Sequence, residues 1–227
     1  MLQVHYPSNP LQPGPMYFLV PRKCGVFGVC CEGIPRQVNY LIDEAHCTSK
    51  GSNAVISYLH HFFAHHGLGE RHLQLHCDNC PGQNKNKFLI WYCAWRCMLG
   101  LHDTISLNFL LVGHTKFAPD WCFGLFKQKF RRTPVSCLED IAQAVRESTV
   151  KGVNVPQLVG LESGESLVPS HNWQTFFAPM FRPLLGIKRF HHFLFTREKP
   201  GVVLATEFHH SPGEEFALLR PDANITC

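Results

Sequence analysis

Two acidic residues stand where α/β chains commonly place their chemistry. Asp78 follows the apolar run Leu73-Gln74-Leu75 and opens the polar turn Asn79-Cys80-Pro81-Gly82-Gln83-Asn84-Lys85-Asn86, after which a patterned helix begins. Asp120 closes a second such stretch, Gly113-His114-Thr115-Lys116-Phe117-Ala118-Pro119-Asp120, after the next strand-like run. Acids at neighbouring strand ends, facing helix starts, can converge on one crevice. Carboxylates from different elements hold pairs of divalent cations about 3.5–4 Å apart in two-metal phosphodiester cleavage. Mg²⁺ or Mn²⁺ would suit such oxygen ligands. Glu44, beside Asp43 at the end of an earlier strand, is placed to add a further ligand. Plainer roles compete: a turn or cap acid at Asp78, a first-turn acid favoured by the helix dipole at Asp120, a solvated loop acid at Glu44.

Around these acids lie groups suited to a polyanion. Gln83, Asn84 and Lys85 precede a helix N-terminus, which attracts phosphate, although capping explains the amides equally. His114 and Lys116 belong to the second stretch and are candidates for touching a phosphate. Lys127, Lys129, Arg131 and Arg132, interleaved with Phe130, form a basic stripe that could grip a nucleic-acid backbone or simply end a helix. Cys77-x-x-Cys80 is half of a zinc site, with His76 adjacent, but no second pair stands at knuckle spacing. The doublets His60-His61, His65-His66, His191-His192 and His209-His210 are scattered, and only a fold could bring them together.

The elements that must position these residues are legible from period and punctuation. Cys24–Cys31 and Val38–Ile42 read as a hairpin around Gly33-Ile34-Pro35. Val55, Ile56, Leu59, Phe62 and Phe63 mark one helical face, with Ser52 as N-cap and Gly67 as the C′ glycine. Leu73–Cys77 is a short strand, and Phe88 to Leu99 a second helix closed by Gly100. Ile105–Val112 reads as a strand buried on both faces. Pro119 opens a third helix reaching Phe130, and Ser136-Cys137-Leu138-Glu139 is a capping box for a fourth. Further on, two short strands are expected around Ser163-Gly164-Glu165, a short helix within 172–181, and a hairpin around Pro200-Gly201.

The chain has 227 residues, 45% hydrophobic and 17% charged, enough for a buried core and unlike a disordered chain. A net charge of +4 permits a nucleic-acid partner without demanding one. The N-terminus lacks signal-peptide character, and no apolar run approaches the roughly 18 residues that span a bilayer. Eleven cysteines without a repeating frame imply free thiols in a reducing compartment, nuclear or cytoplasmic, without secretion or a membrane partner.

Strand, strand, helix, strand, helix, strand, helix is the layout of an α/β, ribonuclease-H-like domain: a mixed sheet flanked by helices. The division expected is a Pro-rich start over 1–15 without lasting regular structure, the main domain over 16–150, a β-containing extension over 151–210 packed on it, and a flexible tail over 211–227. The two acid-bearing motifs, Asp78 to Asn86 and Gly113 to Gly124, resemble a transposon-derived family carrying a domain of unknown function (7869). That family looks related to DDE-type, ribonuclease-H-like transposases and integrases, and the resemblance runs from about Leu2 to Phe208. It implies metal-dependent DNA cleavage and strand transfer, with Asp78 as the second acid and Asp120 as the third. The first acid would lie on a first strand upstream of Gln3–Pro7, and no Asp or Glu occurs before Glu32. The resemblance therefore implies a copy missing its first strand and inactive in catalysis, retained as a nucleic-acid-binding or interaction remnant. A zinc-stabilised module through Cys77 and Cys80 is the other alternative.

Overall fold

In the computed structural model, which describes residues 1–11, 20–47, 51–110, 117–161 and 163–223, strands and helices follow one another in a mixed α/β order. They are β1 (Leu2–Tyr6), β2 (Arg22–Cys31), β3 (Arg36–Asp43), α1 (Ser52–His65), β4 (His72–Cys77), α2 (Lys87–Met98) and β5 (Thr104–Phe109). Then come α3 (Ala118–Phe130), α4 (Leu138–Arg146), β6 (Asn154–Leu158), α5 (Trp173–Phe177), β7 (His192–Thr196), β8 (Val202–Thr206) and β9 (Glu214–Ala217). The chain divides into two compact units, each built from two stretches: Met1–Thr48 with Lys116–Pro169, and Ser49–Thr115 with Ser170–Cys227. The division expected from the sequence ran in chain order. The folded chain instead leaves the first unit after residue 48 and returns to it at 116.

The first unit holds a mixed sheet in the order β1-β2-β3-β6. β1, β2 and β3 are antiparallel, with Val4 opposite Cys24 and Val26 opposite Leu41, and β6 runs parallel to β3. The Pro-rich start therefore does contain regular structure. Its Leu2/Val4/Tyr6 alternation turns Val4 and Tyr6 into a core with Cys24, Val26 and Leu41, against Phe126 of α3 and Leu138, Ile141 and Val145 of α4. α4 is capped one residue later than expected. The Asp140 carboxylate accepts the N–H groups of Ser136 (2.7 Å) and Cys137 (3.1 Å), while Glu139 pairs outward with Arg146.

α3 is fastened to this sheet by a buried polar ladder. Gln37 Nε2 donates to Asn39 Oδ1 (2.8 Å), and Asn39 Nδ2 donates to Asn154 Oδ1 (3.3 Å). Asn154 Nδ2 in turn donates to the Cys122 carbonyl of α3 (3.1 Å) and to Ser148 Oγ (2.8 Å). Gly28 leaves room for this contact: a Cβ there would lie 2.6 Å from the Phe123 ring and 2.9 Å from Gln37 Nε2.

The second unit holds a sheet in the order β4-β5-β7-β8-β9, parallel between β4 and β5 and antiparallel elsewhere. β5 was expected to be buried on both faces, but it alternates. Ile105, Leu107 and Phe109 are buried, whereas Thr104, Ser106 and Asn108 are only half covered. The apolar run that suggested otherwise continues into 111–112, outside the described residues. α2 is buried all round from Leu89 to Cys97, because the sheet lies on one side and α1 and α5 on the other. Its end is a Schellman motif: Gly100, at φ +67°, donates to the Cys97 carbonyl and Leu101 to that of Arg96. The segment from Ser211, expected to be a flexible tail, supplies β9 against β8. Ten cysteines are free among the described residues. No helix among these residues is long and apolar enough to cross a membrane.

Two buried histidines in this unit, His61 and His102, have their pKa values lowered. Arg96 is buried with no carboxylate partner among the described residues, donating to the Tyr92 hydroxyl (3.0 Å) and His102 Nδ1 (3.2 Å) over the Phe63 ring. Burial, then the Arg96 charge, lowers His102 to about 4. Burial, then the neighbouring His65 and His66, lowers His61 to about 4 as well. Because both folded values lie below the unfolded one, the unfolded chain takes up protons first as the pH falls. Stability is therefore expected to be flat above about pH 6.5 and to fall between there and pH 4 by a few kcal/mol. Urea denaturation across that range measures it, and the slope should shrink in His61→Phe.

Candidate functional site

Each candidate acid is built into local structure. Asp78 follows the last residue of β4 and is exposed; its Oδ1 accepts the Cys80 N–H (3.1 Å) and the Asn84 side-chain amide (2.7 Å). The N–H groups of Gln83, Asn84 and Lys85 all donate to the Cys80 carbonyl. Asn86 then caps α2, accepting from Phe88 and Leu89 while its amide donates to Gln83. The Asn84 side-chain amide is thus occupied by the turn, and Asn86 supplies the cap. Lys85 is drawn inward: its ammonium donates to the Lys188 carbonyl (3.2 Å) and lies 5.5 Å from the centre of the Phe109 ring, and burial lowers its pKa. Asp120 is exposed in the first turn of α3, and Glu44 is exposed, accepting the Lys23 N–H at 3.2 Å. His114 and Lys116 lie outside the described residues.

Asp78 belongs to the second unit, Asp120 and Glu44 to the first. Among the described residues no three His, Cys, Asp or Glu side chains are grouped to hold a metal ion. Two-metal chemistry needs several carboxylates converging on the cations. The donor set described does not fit Mg²⁺ or Mn²⁺ in that role, and no catalytic step follows from it. Among the described residues no third ligand joins Cys77 and Cys80 in a group that could hold a metal ion, and burial pushes the Cys77 thiol up to about 12.

The acid that the structure singles out is Asp43, which the sequence reading passed over for Glu44. Its carboxylate is buried and accepts from the Tyr6 hydroxyl, from Arg22 (2.5 Å) and from the Ala45 N–H (2.9 Å). Burial raises its pKa, but the bonds from Arg22, Tyr6 and Ala45 outweigh that and hold the carboxyl below its ordinary value. The Tyr6 hydroxyl is pushed up, by burial and then by its bond to Asp43. Arg22 and Asp43 also line a small cavity of ≈ 200 Å³ with His46, Leu138 and Leu161.

The outer side of α3 is a different kind of surface. Cys122 and Phe126 face the core, and Trp121 points away from them, 59% exposed. Lys127, Arg131 and Arg132 are exposed and make no ion pair among the described residues. Lys129 is the exception in the stripe, held to Glu147 at 2.7 Å. Trp121 was the residue missed. It falls on the same helical stripe as Gln128, spaced i, i+7, rather than on the Cys122/Phe126 stripe.

These environments order the effects of substitution. Asp43→Ala strands the buried Tyr6 hydroxyl and is expected to cost about 2–3 kcal/mol. Asp78→Ala loses an exposed turn bond and is expected to cost about 1 kcal/mol. Guanidinium denaturation of both variants checks the ranking; equal costs would refute the clamp at Asp43.

No curated protein and no solved structure matches the chain. One family model does, over residues 21–211, a span that takes in both units and both acid-bearing motifs. The chain belongs to the family defined by that domain of unknown function, DUF7869.

Proposed function

We propose that this chain is a non-catalytic nucleic-acid-binding domain of DDE-type, ribonuclease-H-like transposase descent, and that α3 is its contact surface. One observation carries the reading: on α3 and at its C-terminal end an exposed tryptophan, Trp121, is accompanied by three exposed cations, Lys127, Arg131 and Arg132, without ion pairs among the described residues. Lysine and arginine side chains without carboxylate partners are free to neutralise phosphates and release counterions. An exposed indole offers a stacking platform for a base, which tolerates any sequence. The ladder through Asn154 and Cys122 holds the helix on the sheet, so these groups are presented from a rigid support. In the ancestral activity, DNA cleavage and strand transfer, Asp78 and Asp120 with Glu44 would have held the metal. In this chain Asp78 and Glu44 make the bonds of turn and loop residues, and Asp120 is exposed in the first turn of α3.

Fluorescence anisotropy of a labelled single-stranded 20-mer tests the reading. Three phosphate contacts predict a slope of log K against log salt of about −2. Replacing Lys127, Arg131 and Arg132 with Ala should flatten that slope. Trp121→Ala should cost about 1–3 kcal/mol of affinity at constant salt. Affinity indifferent to both sets of changes would overturn the assignment to α3.

A further inference from the structure

The sheet of the second unit ends at β4, which pairs with β5 on one side and with no other strand among the described residues. The carbonyls of Arg71 and Cys77 accept the N–H groups of Thr104 and Leu110, on the β5 side. Backbone groups alternate in direction along a strand, so Leu73 and Leu75 also bond toward β5. His72, Gln74 and His76 then turn their N–H and C=O groups outward. Among the described residues no hydrogen bond reaches those outward groups. A row of this kind is a template for a further strand.

The apolar face of β4 is also unfinished. Leu73 and Leu75 are half-buried, whereas Ile105 and Leu107 beside them on β5 are fully buried. α2 lies over β5 and β7, which leaves the two leucines at the rim of the core. Nor is the edge guarded. His72-Leu73-Gln74-Leu75-His76-Cys77 contains no Lys, Arg, Asp, Glu or Pro, the residues that discourage pairing at an edge. The opposite edge of the same sheet, β9, carries Glu214 and Glu215, ion-paired to Arg189 and Lys199.

We infer that β4 pairs antiparallel with β4 of a second copy of this chain, about a two-fold axis through Gln74. In that register the strand is its own complement: Gln74 lies opposite the partner's Gln74, Leu73 opposite the partner's Leu75, and His72 opposite the partner's His76. Residues directly opposite share a face, so the leucines meet on the helix-covered side and carry the core across the axis. A one-residue slip would turn them to the other face. The three outward residues of each strand exchange about six backbone hydrogen bonds. No Lys, Arg, Asp or Glu of the strand is set against its own kind. A foreign strand would need side chains matched to this alternation, which the copy supplies by symmetry. One strand pair covers less than the about 800 Å² per partner of a standard interface, so the dimer is weak, dissociating on the order of tens of micromolar. The pairing does not depend on the reading of α3, which lies in the first unit.

Sedimentation velocity of the full chain over about 2–200 μM tests the inference. The mass should rise with concentration from one chain toward two. Hydrogen exchange at the His72, Gln74 and His76 amides should slow over the same range, because those groups make the pairing. Gln74→Pro should leave the chain monomeric throughout. It removes an N–H that bonds nothing within the described chain, and proline is tolerated where an edge strand faces solvent. Gln74→Lys, which sets like charges against each other on the axis, should weaken the dimer several-fold. Both variants should keep the Tm of the parent at the lowest concentration. A parent that stays monomeric, a dimer that survives both substitutions, or protection of the three amides in the monomer would each overturn the inference, the last by showing the edge already filled.

Discussion

A buried carboxylate sets the terms for the first unit. Asp43 sits at the end of a strand whose Asn39 and Leu41 face the same side, and an ionised acid there is tolerable only when donors surround it. Those donors come from three places: Tyr6 on β1, Arg22 at the start of β2, and the backbone turn after β3. A five-residue edge strand has little cohesion of its own. The clamp gives β1 its register, β1 brings Val4 and Tyr6 into the core, and that core is what α4 covers. The position of the helical layer follows from satisfying one acid.

The same layer shows how polar and apolar contacts divide the work of presenting a surface. Phe126 packs into the core beneath α3, and burial of that kind is non-directional. The ladder from Gln37 through Asn39 and Asn154 to the Cys122 carbonyl is directional and fixes which side of the helix faces outward. Gly28 permits the close approach. The outward side, with Trp121 and the unpaired cations, is thus a product of what lies under it.

Where periodicity carried the reading, the sequence was a good guide. α1, α2, α3 and the β7–β8 hairpin fall within a few residues of where apolar spacing and glycine punctuation place them. β1 and β9 were missed because their own apolar signal is weak. Leu2/Val4/Tyr6 is a weak signal beside Pro7, and Glu214-Glu215-Phe216-Ala217 has almost no apolar face. Period-two counting from Leu41 would have selected Asp43 over Glu44 as the inward acid, since alternate residues share a face. The bond of His192 to Asn108 and the nearness of the His209 ring were beyond reach, because the fold rather than sequence spacing sets them.

The interleaving of the two units has a consequence for synthesis on the ribosome. Chains fold from the N-terminus as they emerge, at about 5–20 residues per second. The first unit cannot close when its opening three strands appear, because α3, α4 and β6 follow the excursion through residues 49–115. The second unit waits longer still, since β7, β8 and β9 lie near the end of the chain while α2 has already emerged with its apolar surface on every side. During that interval an almost wholly hydrophobic helix has no sheet to cover it, and a nascent chain in this state is a natural client for a chaperone that shields apolar segments.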